Sequence, residues 1–213
     1  MRIRTFSADD LTKLDRNYRR ELINSLPGYR SATLIGTADA DAQTNLAMFN
    51  SVVHVGANPP LLGFMLRPLT VPRHTFDNIK EVGYYTFNTV RTQFYERAHQ
   101  TSAKFEPGAS EFDACDLTPH FSGTHPAPYV AESPVKIGLK FVEQHLVKAN
   151  DTILMVGEVV EVIVAEELLE ADGYVAHERA EGVSVVGLDA YYQPQKRLSR
   201  LPYARPQNHS NDA

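Results

Sequence analysis

The stretch Arg67-Pro68-Leu69-Thr70-Val71-Pro72-Arg73-His74-Thr75-Phe76-Asp77-Asn78-Ile79 brings two arginines, a histidine and a hydroxyl together where a proline-rich loop enters a helix. The first turn of a helix carries backbone N–H groups with no intrahelical partner, and partial positive charge. A guanidinium adds a fork of donors that suits a phosphate. Such a segment reads as a phosphate cradle built without a P-loop. The plain alternative is that Thr75 only caps the helix and the arginines are solvated. The residues by themselves leave the two readings level.

A second segment, Asn45-Leu46-Ala47-Met48-Phe49-Asn50-Ser51, places Asn45, Asn50 and Ser51 in what its apolar neighbours mark as an inner strand. Polar groups there need hydrogen-bond partners. A planar heterocycle lying on the strand could supply them through its carbonyls and ring nitrogens. An exposed edge or a bulge would satisfy them equally well.

Other chemistries are poorly served. The eight histidines include no pair at the helical spacing of a metalloprotease, and His120 and His125 sit in a proline-bounded irregular stretch, so no metal site is expected. There is no Gly-x-Ser-x-Gly elbow. The single cysteine, Cys115, lies near Asp113 and Asp116, whose charges disfavour a thiolate. Gly-x-Gly-x-x-Gly after a strand is also absent, which argues against a doubly wound dinucleotide fold. No catalytic residue is assigned.

The 213 residues are 43% hydrophobic and 22% charged, as in ordinary globular proteins, and the net charge is −5. An acidic chain without a dense basic run is a poor nucleic-acid or acidic-membrane binder. No apolar stretch approaches a spanning helix and the first ten residues are not a signal peptide, so a cytoplasmic protein is expected.

The elements that must position these residues follow from periodicity. Ser7 and Asp10 form a variant capping box, and Leu11, Leu14, Tyr18, Leu22 and Ile23 repeat at helical spacing up to Pro27-Gly28. Strands are expected at 30–37, 45–55 and 61–66, with a polar turn at 39–43 and a break at Asn58-Pro59-Pro60. Connections this short require antiparallel pairing. A short helix over 74–81 precedes a strand over 84–90, and another short helix covers 93–100. Residues 106–134, with five prolines, read as an excursion over the surface. Long strands at 135–141 and 153–164, turning near Asn150-Asp151, and a last strand at 183–188 complete the set. The pattern is mainly β with inserted helices, an antiparallel closed or half-closed barrel. Residues 1–28 form a helix packing on this barrel, 29–190 the barrel domain, and 191–213 a tail that frays from 207.

Asn45-Leu46-Ala47 with Asn50-Ser51, Asn58-Pro59-Pro60-Leu61, His74-Thr75 with Asn78-Ile79, and Ser102 with Glu111-Phe112 occur in an order that resembles the flavin-reductase-like proteins of the FMN-binding split-barrel fold. Glu132-Ser133-Pro134-Val135 and Val156-Gly157-Glu158-Val159 resemble the later strands of that family. The resemblance runs from about residue 30 to about 188. It implies a six-stranded antiparallel split β-barrel and a homodimer with FMN near the interface. It also implies that Asn45, Ala47, Met48, Phe49, Asn50 and Ser51 line the flavin ring. Arg67, His74, Thr75 and Asn78 would serve the phosphate, with Ser102 and Lys104 presented to the cofactor. The turn at 39–43 departs from the family, many of whose members have a glycine there.

Two functions compete on this resemblance. The first is an NAD(P)H-dependent flavin reductase, with NADH or NADPH as co-substrate and a flavin-dependent monooxygenase as the partner receiving reduced flavin. The second is an FMN-bound electron carrier that does not react with nicotinamides itself. A third reading keeps the dimeric barrel without its cofactor.

Overall fold

β-branched and aromatic runs supply nearly all the strands, and most of them join one antiparallel sheet. The computed structural model describes residues 2–106 and 108–204. Two helices, α1 (Ala8–Lys13) and α2 (Arg16–Ser25), precede β1 (Arg30–Ser31), β2 (Thr33–Ala38), β3 (Thr44–Phe49), β4 (Val52–Ala57) and β5 (Pro60–Leu66). Next come α3 (His74–Val82), β6 (Tyr84–Thr89), α4 (Tyr95–Gln100), α5 (Glu111–Ala114), β7 (Pro119–His120) and β8 (Tyr129–Val130). The long hairpin β9 (Val135–Val147) and β10 (Thr152–Val164) and the short β11 (Ser184–Val186) and β12 (Ala190–Tyr192) follow.

The main sheet runs β3-β2-β6-β9-β10-β5-β4. Its two edges are therefore consecutive in the chain, joined only by Asn50 and Ser51. Such a short link can connect opposite edges only if the sheet curls round on itself. Side chains from all seven strands then meet inside: Ile35, Phe49, Val52, Phe64, Leu66, Tyr85, Phe87, Leu139, Ile153 and Met155, with Ile79 of α3. This is the expected split barrel. The sequence pattern treats 45–55 as a single strand; the polar Asn50-Ser51 pair bends it into β3 and β4, which gives seven strands rather than six.

A second core lies on the opposite face, where Leu34 and Leu46 pack with Phe94, Phe112, Leu117, Val130 and Val185. β2 is consequently buried along its whole length. The surface excursion expected over 106–134 is corrected here: Phe112, Leu117, His125, Ala127, Tyr129 and Val130 are all buried. Gly36 and Gly138 make the room. A Cβ on Gly36 would strike the Pro128 carbonyl, and one on Gly138 would lie 2.8 Å from the His125 ring and collide with the Tyr129 hydroxyl. Pro107, at the start of that segment, lies outside the described residues.

The expected single N-terminal helix is two. Its capping box at Ser7 and Asp10 is present, but the chain leaves the helix at Leu14 in extended geometry, and the Asp15 carboxylate restarts it by accepting the N–H groups of Asn17 and Tyr18. Neither helix contains a buried residue. α2 faces Val186, Gly187 and Ala190 across a shallow cleft of about 280 Å³. β12 is an added strand, placing Tyr191 opposite Val185. Beyond it Arg197 and Arg200 bind the Glu170 carboxylate at 2.7 and 3.2 Å, and both guanidiniums lie 4.6 Å from the Tyr174 ring. The expected fraying of 207–213 falls outside the described residues. Among the described residues no helix is long and apolar enough to cross a membrane.

Candidate functional site

The Asn45 amide donates from Nδ2 to Thr37 Oγ1 and to Thr75 Oγ1, each at 3.2 Å, and Asn78 Nδ2 donates to the same Thr37 hydroxyl at 3.1 Å. All four residues are buried. β2, β3 and the first turn of α3 are thereby locked together by hydroxyls and amides. The amide N–H groups of Asn45 and Asn78 thus have acceptors within the protein. Thr37 is the shared acceptor, and no pattern in the sequence pointed to it.

Arg73, not Thr75, is the residue that caps α3, and its side chain makes no capping bond. Its carbonyl accepts from Phe76 and Asp77 at 2.8 and 3.0 Å. That leaves the His74 and Thr75 N–H groups without an intrahelical partner. The Thr75 hydroxyl, offered above as a cap, is instead an acceptor for Asn45. The Arg73 Nε is buried without a partner among the described residues. His74 and Arg67 are exposed. Arg67 follows β5 directly, two residues beyond Met65, whose carbonyl accepts from Ser51 Oγ at 3.0 Å.

β3 presents two different faces. Leu46 and Met48 belong with the outer core, whereas Phe49 packs into the barrel, 5.0 Å from the Phe64 ring. Its far edge pairs with no strand among the described residues, because β3 ends the sheet. Asn50 Nδ2 donates to the Gly187 carbonyl at 2.9 Å, and Arg30 Nη2 donates to the same oxygen at 2.9 Å and to the Asn24 carbonyl at 3.0 Å. A carbonyl can only accept, so this contact fixes which way the Asn50 amide faces. The Asn45 and Asn50 amide N–H groups and the Ser51 hydroxyl therefore donate within the chain.

Ser102 and Lys104 are exposed just past α4. No hydrogen bond or ion pair among the described residues links them to the group around α3. Phe105 beside them packs with Leu46 and Met48 in the outer core, on the other face of β3 from Thr75. The candidate residues thus divide between the α3 side of β3 and the segment next to Phe105, with Asn50 and Ser51 at the end of the strand. Cys115 is buried, and burial followed by the Glu111 charge pushes its thiol pKa up, which fits an inert side chain. Among the described residues no cluster of His, Cys, Asp and Glu could hold a metal ion.

A curled antiparallel sheet split beside β3, with an uncapped helix start against that strand, defines a split-barrel protein. Residues 27–184 match the model of the flavin reductase like domain, so the chain belongs to that family. A flavin-reductase assignment with a split barrel domain, from Shewanella frigidimarina NCIMB 400, is carried by a structure 44% identical, with a TM-score of 0.90, covering 94% of this chain and 100% of that one. Component B of the Bacillus cereus nitrilotriacetate monooxygenase has the same fold at 20% identity and TM-score 0.81, with 94% and 100% covered. So does flavoredoxin of Desulfovibrio vulgaris (Miyazaki F) at 24% identity and TM-score 0.73, with 83% and 93% covered.

Proposed function

We propose that this chain is a flavin reductase that binds FMN and transfers hydride to it from NADH or NADPH. The observation that carries the reading is the first turn of α3. It keeps two spare N–H groups and a buried Arg73 Nε with no partner among the described residues, and it is bolted to β3 through Thr75 and Asn45. Uncapped N–H groups beside arginines suit a phosphate monoester, and an adjacent strand edge suits a flat ring.

Arg67, Arg73, His74 and Thr75 would hold the phosphate, while Asn78 and Thr37 keep the helix in place. Ala47, Met48, Phe49, Asn50 and Ser51 would line the ring, with Ser102 and Lys104 approaching from the α4 side. The Lys104 ammonium would favour negative charge near the pyrimidine end. When bound, FMN supplies the two-electron chemistry. The protein's part is to hold the ring with one face open to a nicotinamide, which is a matter of orientation rather than of acid or base. A homodimer with the cofactor near the interface, a cytoplasmic setting rich in nicotinamides and a flavin-dependent monooxygenase as recipient belong to the same reading. The likeness in fold to a monooxygenase component B is compatible with that recipient.

The test is anaerobic. FMN-loaded protein receives NADH and then NADPH while visible flavin absorbance is followed. Bleaching faster than in protein-free FMN is expected, and the faster nicotinamide is the co-substrate. Bound flavin that stays oxidised would favour an electron carrier instead.

A further inference from the structure

An edge strand displays its outward N–H and C=O groups to whatever approaches. In β3 the outward N–H groups alternate with those that pair with β2. Leu46 is outward, since its N–H donates to Glu111 Oε2 at 3.0 Å and not to β2. By the two-residue period the next outward N–H along the strand is that of Met48, and no side chain among the described residues accepts it.

Glu111 does not arrive there by accident of a loose loop. Its neighbour Ser110 shares a 2.8 Å hydroxyl contact with Thr44, one strand position before Asn45. Phe112 on its other side is fully buried in the outer core with Leu46. The tripeptide is therefore anchored at both ends along the outer edge of β3. The Glu111 carboxylate sits between those anchors as the acceptor for one specific N–H.

We propose that Glu111 is a positioning residue for flavin binding. It occupies the Leu46 N–H, holds β3 in register, and confines the docking of a ring carbonyl to the Met48 end of the strand. The proposal rests on the flavin reading above and deepens it. A carboxylate and a ring carbonyl both accept, so Glu111 takes the Leu46 N–H that a flavin carbonyl would otherwise use and cannot itself donate to that carbonyl. It can only remove one donor and steady the next.

The experiment compares wild type, Glu111→Ala and Glu111→Gln as full-length protein. The first readout is hydrogen exchange at the Leu46 amide without flavin. The second is FMN affinity from the flavin absorbance, with thermal unfolding followed in parallel. Glu111→Ala should expose the Leu46 amide and weaken FMN binding about tenfold or more, equivalent to about 1.4 kcal/mol. Glu111→Gln keeps an acceptor oxygen and should restore both. Should Glu111→Ala not fold, Glu111→Asp, one methylene shorter, is expected to show the same two losses in smaller measure. Unchanged FMN affinity in a variant whose Leu46 amide has lost protection would overturn the proposal. So would a Leu46 amide that exchanges alike in all variants. Wild-type protein that fails to bind FMN at all would instead overturn the flavin reading, and this one with it.

Discussion

Asn45 and Thr75 lie 30 positions apart, and a 3.2 Å hydrogen bond between them joins β3 to the first turn of α3. The two segments that the sequence marked as chemically unusual are thereby a single unit. Replacing Thr75 by Val keeps the volume but removes the acceptor. The buried Asn45 amide retains Thr37 and loses its second partner, at a cost of about 1–2 kcal/mol. Chemical denaturation should report that loss. FMN titration of the same variant should show weaker binding, because the spare N–H groups of α3 lose their fixed place beside the strand.

The phosphate reading separates from the ring reading by a choice of ligand. The double variant Arg67→Ala with Thr75→Ala should bind FMN about ten- to a hundredfold more weakly, the loss of one or two charge-assisted contacts. Its affinity for riboflavin, which has no phosphate, should change far less. Unchanged FMN affinity in the double variant would remove the cradle.

Tyr85 carries a buried hydroxyl without a partner among the described residues, and burial pushes its pKa well above the ordinary value. A Cβ on Gly157 would lie 2.9 Å from Tyr85 Cζ and collide with that hydroxyl. Tyr85→Phe removes an unsatisfied polar group and should stabilise the protein by about 1 kcal/mol. Gly157→Ala should destabilise it by about 1–3 kcal/mol through overpacking. In the double variant part of that cost should disappear, a coupling that thermal unfolding of all four proteins would measure. Additive effects would mean that the two positions do not meet.

Acid stability should depend on Glu161. Burial acts to raise its pKa, but hydrogen bonds from Thr124, Tyr129 and Ser122 outweigh it, and the carboxyl is held below its ordinary 4.5. A folded-state pKa below the unfolded one adds stability that is fully present above about 4.5 and is lost as pH falls through the folded value. The Tyr129 hydroxyl donates to this carboxylate and so ties the 119–130 segment to β10. Unfolding of Glu161→Gln measured across pH 3 to 6 should therefore show a shallower acid slope than wild type, by roughly one proton at most. Equal slopes would dismiss Glu161 as a contributor.

Much of this molecule was already legible in its residues. The long strands of the 135–164 hairpin, the short helix after His74 and the Ser7 capping box follow from local period and local hydrogen bonding, which neighbouring residues decide among themselves. The resemblance that led to the flavin family rests on short polar clusters whose order along the chain is itself sequence. Tertiary structure decided the rest. Asn50-Ser51 reads as part of a continuous strand, and only closure of the sheet makes it the corner where the barrel splits. The five prolines of 106–134 suggest a surface path, yet Gly36 and Gly138, distant in sequence, open the groove that buries Tyr129 and His125. Thr37 shows no local signal for its role, because the α3 amide of Asn78 that it accepts is brought beside it only by folding. A hydrogen bond between remote segments costs chain entropy that only the cooperative burial of the whole barrel offsets, so its partners cannot be read from either segment in isolation.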